Sequence, residues 1–153
     1  MDRGDIFEQH ELDNFIDINT IPFEKLMEVI VNFSLDELLV KGNLFKLNID
    51  NKAETIIRNY LLTGKAFLEK SITKEELYNE RISAWGNYKG LHDMSASNTM
   101  LRIAVCCLYD EEAAEFNVYG PEAIFETVFS LLLDLGSGFC KQFRCYIQNN
   151  LVL

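Results

Sequence analysis

Apolar side chains recur every three or four residues along most of this 153-residue chain. This spacing places them on one face of a helix, which is the pattern of an amphipathic α-helix. Only two prolines and eight glycines interrupt the pattern, so helical segments can run between them. The sequence therefore predicts an all-α fold of about six to eight helices, packed in a single domain that spans the chain.

The first third of the chain contains start signals for two helices. Pro22 is tolerated in the first turn of a helix, because its missing N–H has no intrahelical partner there. Ser34-x-x-Glu37 has the form of a capping box and predicts a new short helix that ends at Gly42. In residues 43–50 apolar and polar positions alternate, which is compatible with a short strand. We favour the alternative of an extended connector.

Further start signals divide the rest of the chain. They are side chains that accept a hydrogen bond from a backbone N–H at a helix start, or a proline in the first turn. The predicted starts are Asp50 or Asn51, Thr73-x-x-Glu76, Ser95 or Ser97, Asp110 after a break near Tyr109, and Gly120-Pro121. Glycines predict helix ends at Gly64, by Gly90 and at Gly136-Ser137-Gly138.

The segment from Pro121 to Leu135 has apolar residues on more than one side of its predicted helix. These residues are Ile124, Phe125, Val128, Leu131, Leu132 and Leu135. A helix that is apolar on more than one side is usually surrounded by other elements. We therefore expect this helix to be central and the most buried.

Charge separates the beginning of the chain from the remainder. The 14 basic and 24 acidic residues give a net charge of −10. Residues 1–37 hold ten of the acidic residues against Arg3 and Lys25, a net charge of −8. The first 19 residues form an acidic segment, which we expect to be less ordered than the rest. An acidic surface of this kind repels nucleic acid, so we expect no direct nucleic-acid binding.

Neither a transmembrane span nor a secretory signal is expected. The apolar run in residues 123–135 is interrupted by polar residues and is shorter than a bilayer requires. The first residues are acidic and lack the basic region that opens a signal peptide. We expect a cytoplasmic protein without a membrane partner.

Cysteine and histidine do not occur at metal-binding spacings. The four cysteines are Cys106, Cys107, Cys140 and Cys145, and the histidines are His10 and His92. Adjacent cysteines point to different sides of a helix, and no Cys-x-x-Cys or His-x-x-x-His is present. We expect reduced, buried thiols and neither a metal nor a cofactor.

No motif predicts an enzyme. Phosphate-binding glycine loops and nucleophile elbows are missing, and Gly136-Ser137-Gly138 is too short to count as one. His92-Asp93 alone does not orient an imidazole toward a nucleophile. We expect no catalytic residue. A helical enzyme would need a buried polar pocket containing His92, Arg102 or a pair of carboxylates.

One stretch of the chain carries a family resemblance. Tyr60-Leu61-Leu62-Thr63-Gly64-Lys65, then Ile72-Thr73-Lys74-Glu75-Glu76-Leu77, then Trp85 form a pattern similar to that of helical immunity proteins from bacterial polymorphic-toxin and contact-dependent growth inhibition systems. The resemblance covers residues 53–91. It implies a small cytosolic antidote that binds one cognate toxin domain and performs no reaction of its own. Many toxins of this class attack nucleic acids through basic clefts, which an acidic inhibitor can complement.

Candidate partner-binding residues follow from charge and from aromatic character. Trp and Tyr are enriched at binding hot spots. The candidates are an N-terminal acidic series (Glu11, Asp13, Asp17, Glu24 and Glu28), a compact acidic group (Asp110, Glu111, Glu112 and Glu115), and the aromatic pair Trp85 and Tyr88. A core-edge role for Trp85 is the simpler alternative. The alternative function is an acidic helical regulatory or scaffold module that binds another protein. The sequence leaves the oligomeric state open.

Overall fold

In the computed structural model, the described residues (17, 20–117 and 120–151) form eight α-helices and no strand. The helices are α1 (Phe23–Phe33), α2 (Lys41–Lys46), α3 (Asn51–Leu68), α4 (Lys74–Asn87), α5 (Ala96–Cys106), α6 (Glu111–Asn117), α7 (Pro121–Leu135) and α8 (Phe139–Asn150). A π-helical turn (Ser34–Leu38) continues α1, and a short 3-10 turn (Gly90–His92) precedes α5. The prediction of an all-α fold is confirmed.

Helix α5 is the centre of the fold. It packs against α3, α4 and α7, and eight of its eleven residues are buried. Helix α7 also packs against α6 and α8, yet Leu131 and Leu133 on it are only half-buried. The expectation that α7 is the most buried helix is therefore wrong. The apolar residues of α7 pack against α5 and α8, whereas α5 has three neighbouring helices, α3, α4 and α7.

Phenylalanine rings join α1, α7 and α8. The ring centroid of Phe143 lies 4.9 Å from that of Phe33 and 5.1 Å from that of Phe129. A third neighbour, Phe125, stacks on Phe143 at 5.9 Å. Because such ring pairs contribute beyond their buried area, this cluster holds the last helix against the first.

The region after α1 differs from the prediction. Ser34 does not open a new helix, because its hydroxyl is buried and donates to the Ile30 carbonyl oxygen at 2.8 Å. The chain continues without a break from α1 into the π-helical turn. Gly42 lies inside α2 rather than after a helix, and residues 43–50 begin helical instead of extended. The alternation of residues 43–50 misled because Phe45 is 89% exposed and does not face the core.

Gly64 lies inside α3 and does not end it. The helix continues to Leu68. A Cβ atom on Gly64 would lie 2.6 Å from the backbone carbonyl oxygen of Cys107. The glycine therefore serves the close approach of α3 to the end of α5, which is a tertiary requirement and not a helix stop.

The other predicted boundaries are confirmed. The backbone N–H of Ala53 donates to Asp50 Oδ1, that of Glu76 to Thr73 Oγ1, that of Asn98 to Ser95 Oγ, and that of Ala113 to Asp110 Oδ1. Pro121 begins α7 after Gly120, whose φ of 95° is accessible mainly to glycine. No helix among the described residues combines the length and apolar character that a bilayer crossing requires.

Candidate protein-binding site

Two acidic groups that are far apart in the sequence line one surface groove. Glu24 comes from the first turn of α1, while Asp110, Glu111 and Glu112 come from the start of α6. Together with Phe23, Phe67, Leu68 and Lys74 they enclose about 190 Å³. A neighbouring hollow of about 280 Å³ shares Glu24, Phe67, Leu68 and Lys74 and adds Lys70 and Ile72. We call these two hollows the acidic groove.

Local structure explains why carboxylates collect there. Helix N-termini carry partial positive charge, so acidic side chains in a first turn are stabilised. Glu24 occupies the first turn of α1, and Glu111 and Glu112 that of α6. Asp110 caps α6 by accepting the Ala113 N–H at 2.8 Å. The fold brings two such helix starts to one place.

The groove also has an apolar component and two basic residues, Lys70 and Lys74. Phe67 and Leu68, at the end of α3, are half-buried against the core. Lys74 Nζ lies 3.7 Å from Glu112 Oε2, and both side chains are largely exposed, so this ion pair is weak. The arrangement suits a long basic side chain, whose stem would lie on the apolar residues while its charge faces the carboxylates.

The remaining acidic candidates do not line this groove. Burial raises the pKa of the Tyr146 hydroxyl, and the charges of Asp36, Glu37 and Glu28 raise it further, so Glu28 acts on Tyr146 and not on the groove. Glu115 lies beside Gly120. Asp17 is exposed, and its carbonyl oxygen accepts the Thr20 hydroxyl at 2.7 Å. Glu11 and Asp13, with the rest of residues 1–16, lie outside the described residues.

Trp85 and Tyr88 contact each other at the end of α4. Their ring centroids are 5.9 Å apart in an edge-to-face arrangement. Trp85 Nε1 donates to the Tyr109 hydroxyl at 3.2 Å, and the Arg102 guanidinium lies 4.6 Å from the Trp85 ring centroid. Trp85 therefore packs at the edge of the core and still presents part of its ring, since the residue is 37% exposed.

A second arginine, Arg81, packs on the same helix and was not among the residues singled out from the sequence. Arg81 is only 6% exposed and donates to the Leu108 carbonyl oxygen at 2.9 Å. Its guanidinium lies 4.7 Å from the ring centroid of Tyr109 and 5.3 Å from that of Tyr78. A signal was present, because Arg81 falls at helical spacing between the buried Leu77 and Ala84.

A third hollow, of about 350 Å³, lies between the starts of α3 and α5. Its buried amide, Asn98, accepts the Lys89 N–H and donates to the carbonyl oxygens of Gly90 and Asp93. These bonds hold the loop before α5. His92 is exposed and does not line the hollow. Of the groups that a helical enzyme was expected to need, this hollow contains neither His92 nor Arg102, but it does contain two carboxylates, Asp50 and Asp93. Asp50 accepts the Ala53 N–H and Asp93 accepts the Ser95 N–H, so both carboxylates bond to backbone at helix starts.

The cysteines are thiols, and none of the four forms a disulfide. Cys106, Cys107 and Cys140 are buried as expected, whereas Cys145 is half-buried. Burial raises the pKa of the Cys107 thiol well above its usual range, and the adjacent Cys106 adds to the shift. Among the described residues, no group of three or more His, Cys, Asp or Glu side chains is placed to hold a metal ion.

Comparisons with protein-family models, with curated proteins and with solved structures found no match for this chain.

Proposed function

We propose that this protein is an immunity protein, which binds a basic surface of a cognate bacterial toxin domain and neutralises it by occlusion. One observation carries the proposal: Glu24 and residues 110–112 converge on a single groove with an apolar component. Helix capping explains each of these carboxylates separately. It does not require two helix starts to converge, and spreading like charges would reduce their repulsion.

The groove indicates how binding would neutralise a nuclease toxin. Nuclease clefts attract phosphates with Lys and Arg side chains. The carboxylates of the groove would bind those side chains and compete with the substrate. Opposite charge also accelerates the encounter, which favours capture of the toxin before it reaches nucleic acid. The protein itself performs no reaction in this scheme.

The resemblance to helical immunity proteins supports the proposal in part. The capping box of Thr73 and Glu76 opens α4 as the pattern implies, and Trp85 lies on the same helix. Gly64-Lys65 differs, because it is inside α3 and not at a helix end. The charge and shape of the groove are therefore the stronger support.

A toxin-rescue experiment tests this function. A toxin domain, if one is encoded beside this protein's gene, would be expressed with the wild-type chain, with Glu111→Lys/Glu112→Lys, or with Glu126→Lys/Asp134→Lys. The last variant makes the same charge change at exposed positions of α7, outside the groove. We expect wild type and the α7 variant to bind the toxin and restore growth, and the groove variant to fail at both.

Two other outcomes are informative. Equal rescue by the groove variant would overturn the role of the acidic groove. Binding without rescue would indicate a regulatory or scaffold module in place of an immunity protein.

A further inference from the structure

Helix α4 presents an exposed apolar stripe. Tyr78, Ile82 and Trp85 lie at helical spacing, and their residues are 51%, 53% and 37% exposed. Side chains three and four residues apart share one side of a helix. We call these three residues the α4 face. Contiguous exposed apolar surface of this kind marks interaction sites.

Gly86 extends the α4 face by one helical turn. Gly86 follows Ile82 by four residues and still belongs to α4. A Cβ atom built on Gly86 would meet nothing within 4 Å. No packing contact of the fold therefore requires glycine here, although glycine weakens a helix relative to alanine. Its effect is to leave an open notch beside Ile82.

The face is complementary to itself about Ile82. Tyr78 precedes Ile82 by four residues, and Gly86 follows it by four. If a second α4 lies antiparallel across the first with the two-fold axis at Ile82, Tyr78 of each copy falls opposite Gly86 of the other. A large ring then meets a position without a side chain, and the contact occurs twice because the interface is isologous.

The charged residues along one flank of α4 are also complementary between two antiparallel copies. Residues 108–112 run antiparallel to α4, since Arg81 bonds to the Leu108 carbonyl and Lys74 pairs with Glu112. Carboxylates therefore lie at the beginning of this flank. Arg102 lies at its other end against Trp85, and no described carboxylate is within ion-pair distance of Arg102.

The two-fold axis of such a pair passes between the two helices and is perpendicular to both. It leaves a given flank of α4 on the same side of the pair and reverses the direction in which that flank runs. The acidic end of one copy would then face Arg102 of the other. We propose that the α4 face is the interface of a homodimer, with a second copy of this chain seated antiparallel across Ile82. This inference does not depend on the proposed function, although Glu112 belongs both to this interface and to the acidic groove.

Sedimentation velocity over a series of protein concentrations tests the dimer. Ile82→Asp places a charge on the two-fold axis, and Gly86→Leu fills the notch at a position where a Cβ atom meets nothing within 4 Å. We expect a concentration-dependent dimer for wild type and a dissociation constant at least about tenfold higher for each variant. Phe45→Asp, at an apolar position of α2 that is 89% exposed, is the control and should dimerise like wild type. Wild type that stays monomeric at every concentration, or equal dimerisation by all variants, would overturn the proposal.

A charge exchange tests the antiparallel arrangement. Arg102→Glu alone brings like charges together in the homodimer, and so does Glu112→Arg alone. A mixture of the two variants restores opposite charges at both ends of the interface. We expect each variant to be monomeric at concentrations where their mixture dimerises, with circular dichroism confirming the fold of each. A mixture that associates no better than its components would contradict the antiparallel arrangement.

Discussion

At the scale of single residues, two helical glycines have different roles. Both Gly64 and Gly86 lie inside helices. From the sequence we predicted that a helix ends at Gly64, because glycine often follows the last residue of a helix. Its actual role depends on the carbonyl oxygen of Cys107, which belongs to a distant part of the chain. Local pattern does not contain that information.

The two glycines give a matched prediction. Gly64→Ala should lower the free energy of unfolding by about 1–3 kcal/mol, because the new Cβ must displace backbone of Cys107. Gly86→Ala should raise it by about 0.5–1 kcal/mol, because alanine favours the helix and meets no atom. Urea denaturation at low protein concentration measures both. A Gly64→Ala variant as stable as wild type would refute the close approach.

Buried thiols predict how stability depends on pH. In the folded state, burial raises the pKa of the Cys107 thiol above its ordinary value of 9.0. Burial also raises the pKa of the Cys106 thiol. Above pH 9 the unfolded chain therefore loses thiol protons that the folded chain keeps, so folding stability falls as the pH rises. Each such group contributes at most about 1.4 kcal/mol per pH unit.

The measurement is the free energy of unfolding from pH 7 to pH 10, a window set by the 9.0 reference value. Cys107→Ala should be less stable at neutral pH, because it leaves a small cavity. Its stability should decline less steeply than that of wild type above pH 9. Parallel curves would show that the Cys107 thiol is not protected from ionisation.

At the scale of helices, the same motif was interpreted correctly once and wrongly once. Thr73-x-x-Glu76 forms a complete capping box. Ser34-x-x-Glu37 has the same form, but Ser34 is buried within the continuation of α1. The apolar residues that carry α1 onward, among them Val31 and Phe33, pack into the core. Whether the motif begins a helix depends here on whether its first residue is buried, and a four-residue motif contains no information on burial.

Capping gives a second prediction with a matched control. Thr73→Ala removes the acceptor of the Glu76 N–H and should cost about 0.5–2 kcal/mol of stability. Thr63→Ala removes a hydroxyl that only donates to the Asn59 carbonyl within α3, and it should change stability by no more than about 0.5 kcal/mol. Thermal or urea unfolding compares them. Equal losses would show that the cap does not stabilise α4.

The sequence also did not predict which helix is the most buried. Periodicity identified α5 and α7 as helices, and the breaks at Asp110 and Gly120 were correct. The number of neighbours around each helix is a property of the assembled fold. Helix α5 is enclosed by α3, α4 and α7, although its sequence is no more apolar than that of α7.

At the scale of the whole molecule, the site was only half predictable. Composition and position identified the carboxylates of Glu24 and of residues 110–112 as candidates, and Trp85 as a candidate anchor. Their convergence on one groove depends on the packing of α1, α3 and α6. Glu28 and Glu115 were equally acidic candidates by sequence, and the fold directs them elsewhere.

The central claim is that the acidic groove captures a basic partner, and association kinetics test it most directly. The purified toxin domain would be mixed by stopped flow with wild type, with Glu111→Lys/Glu112→Lys and with the α7 control Glu126→Lys/Asp134→Lys, at low and high ionic strength. We predict that the groove variant associates about tenfold or more slowly at low ionic strength and loses most of its salt dependence. The α7 control should stay close to wild type. Equal rates and equal salt dependence for both variants, with folding intact, would contradict the account.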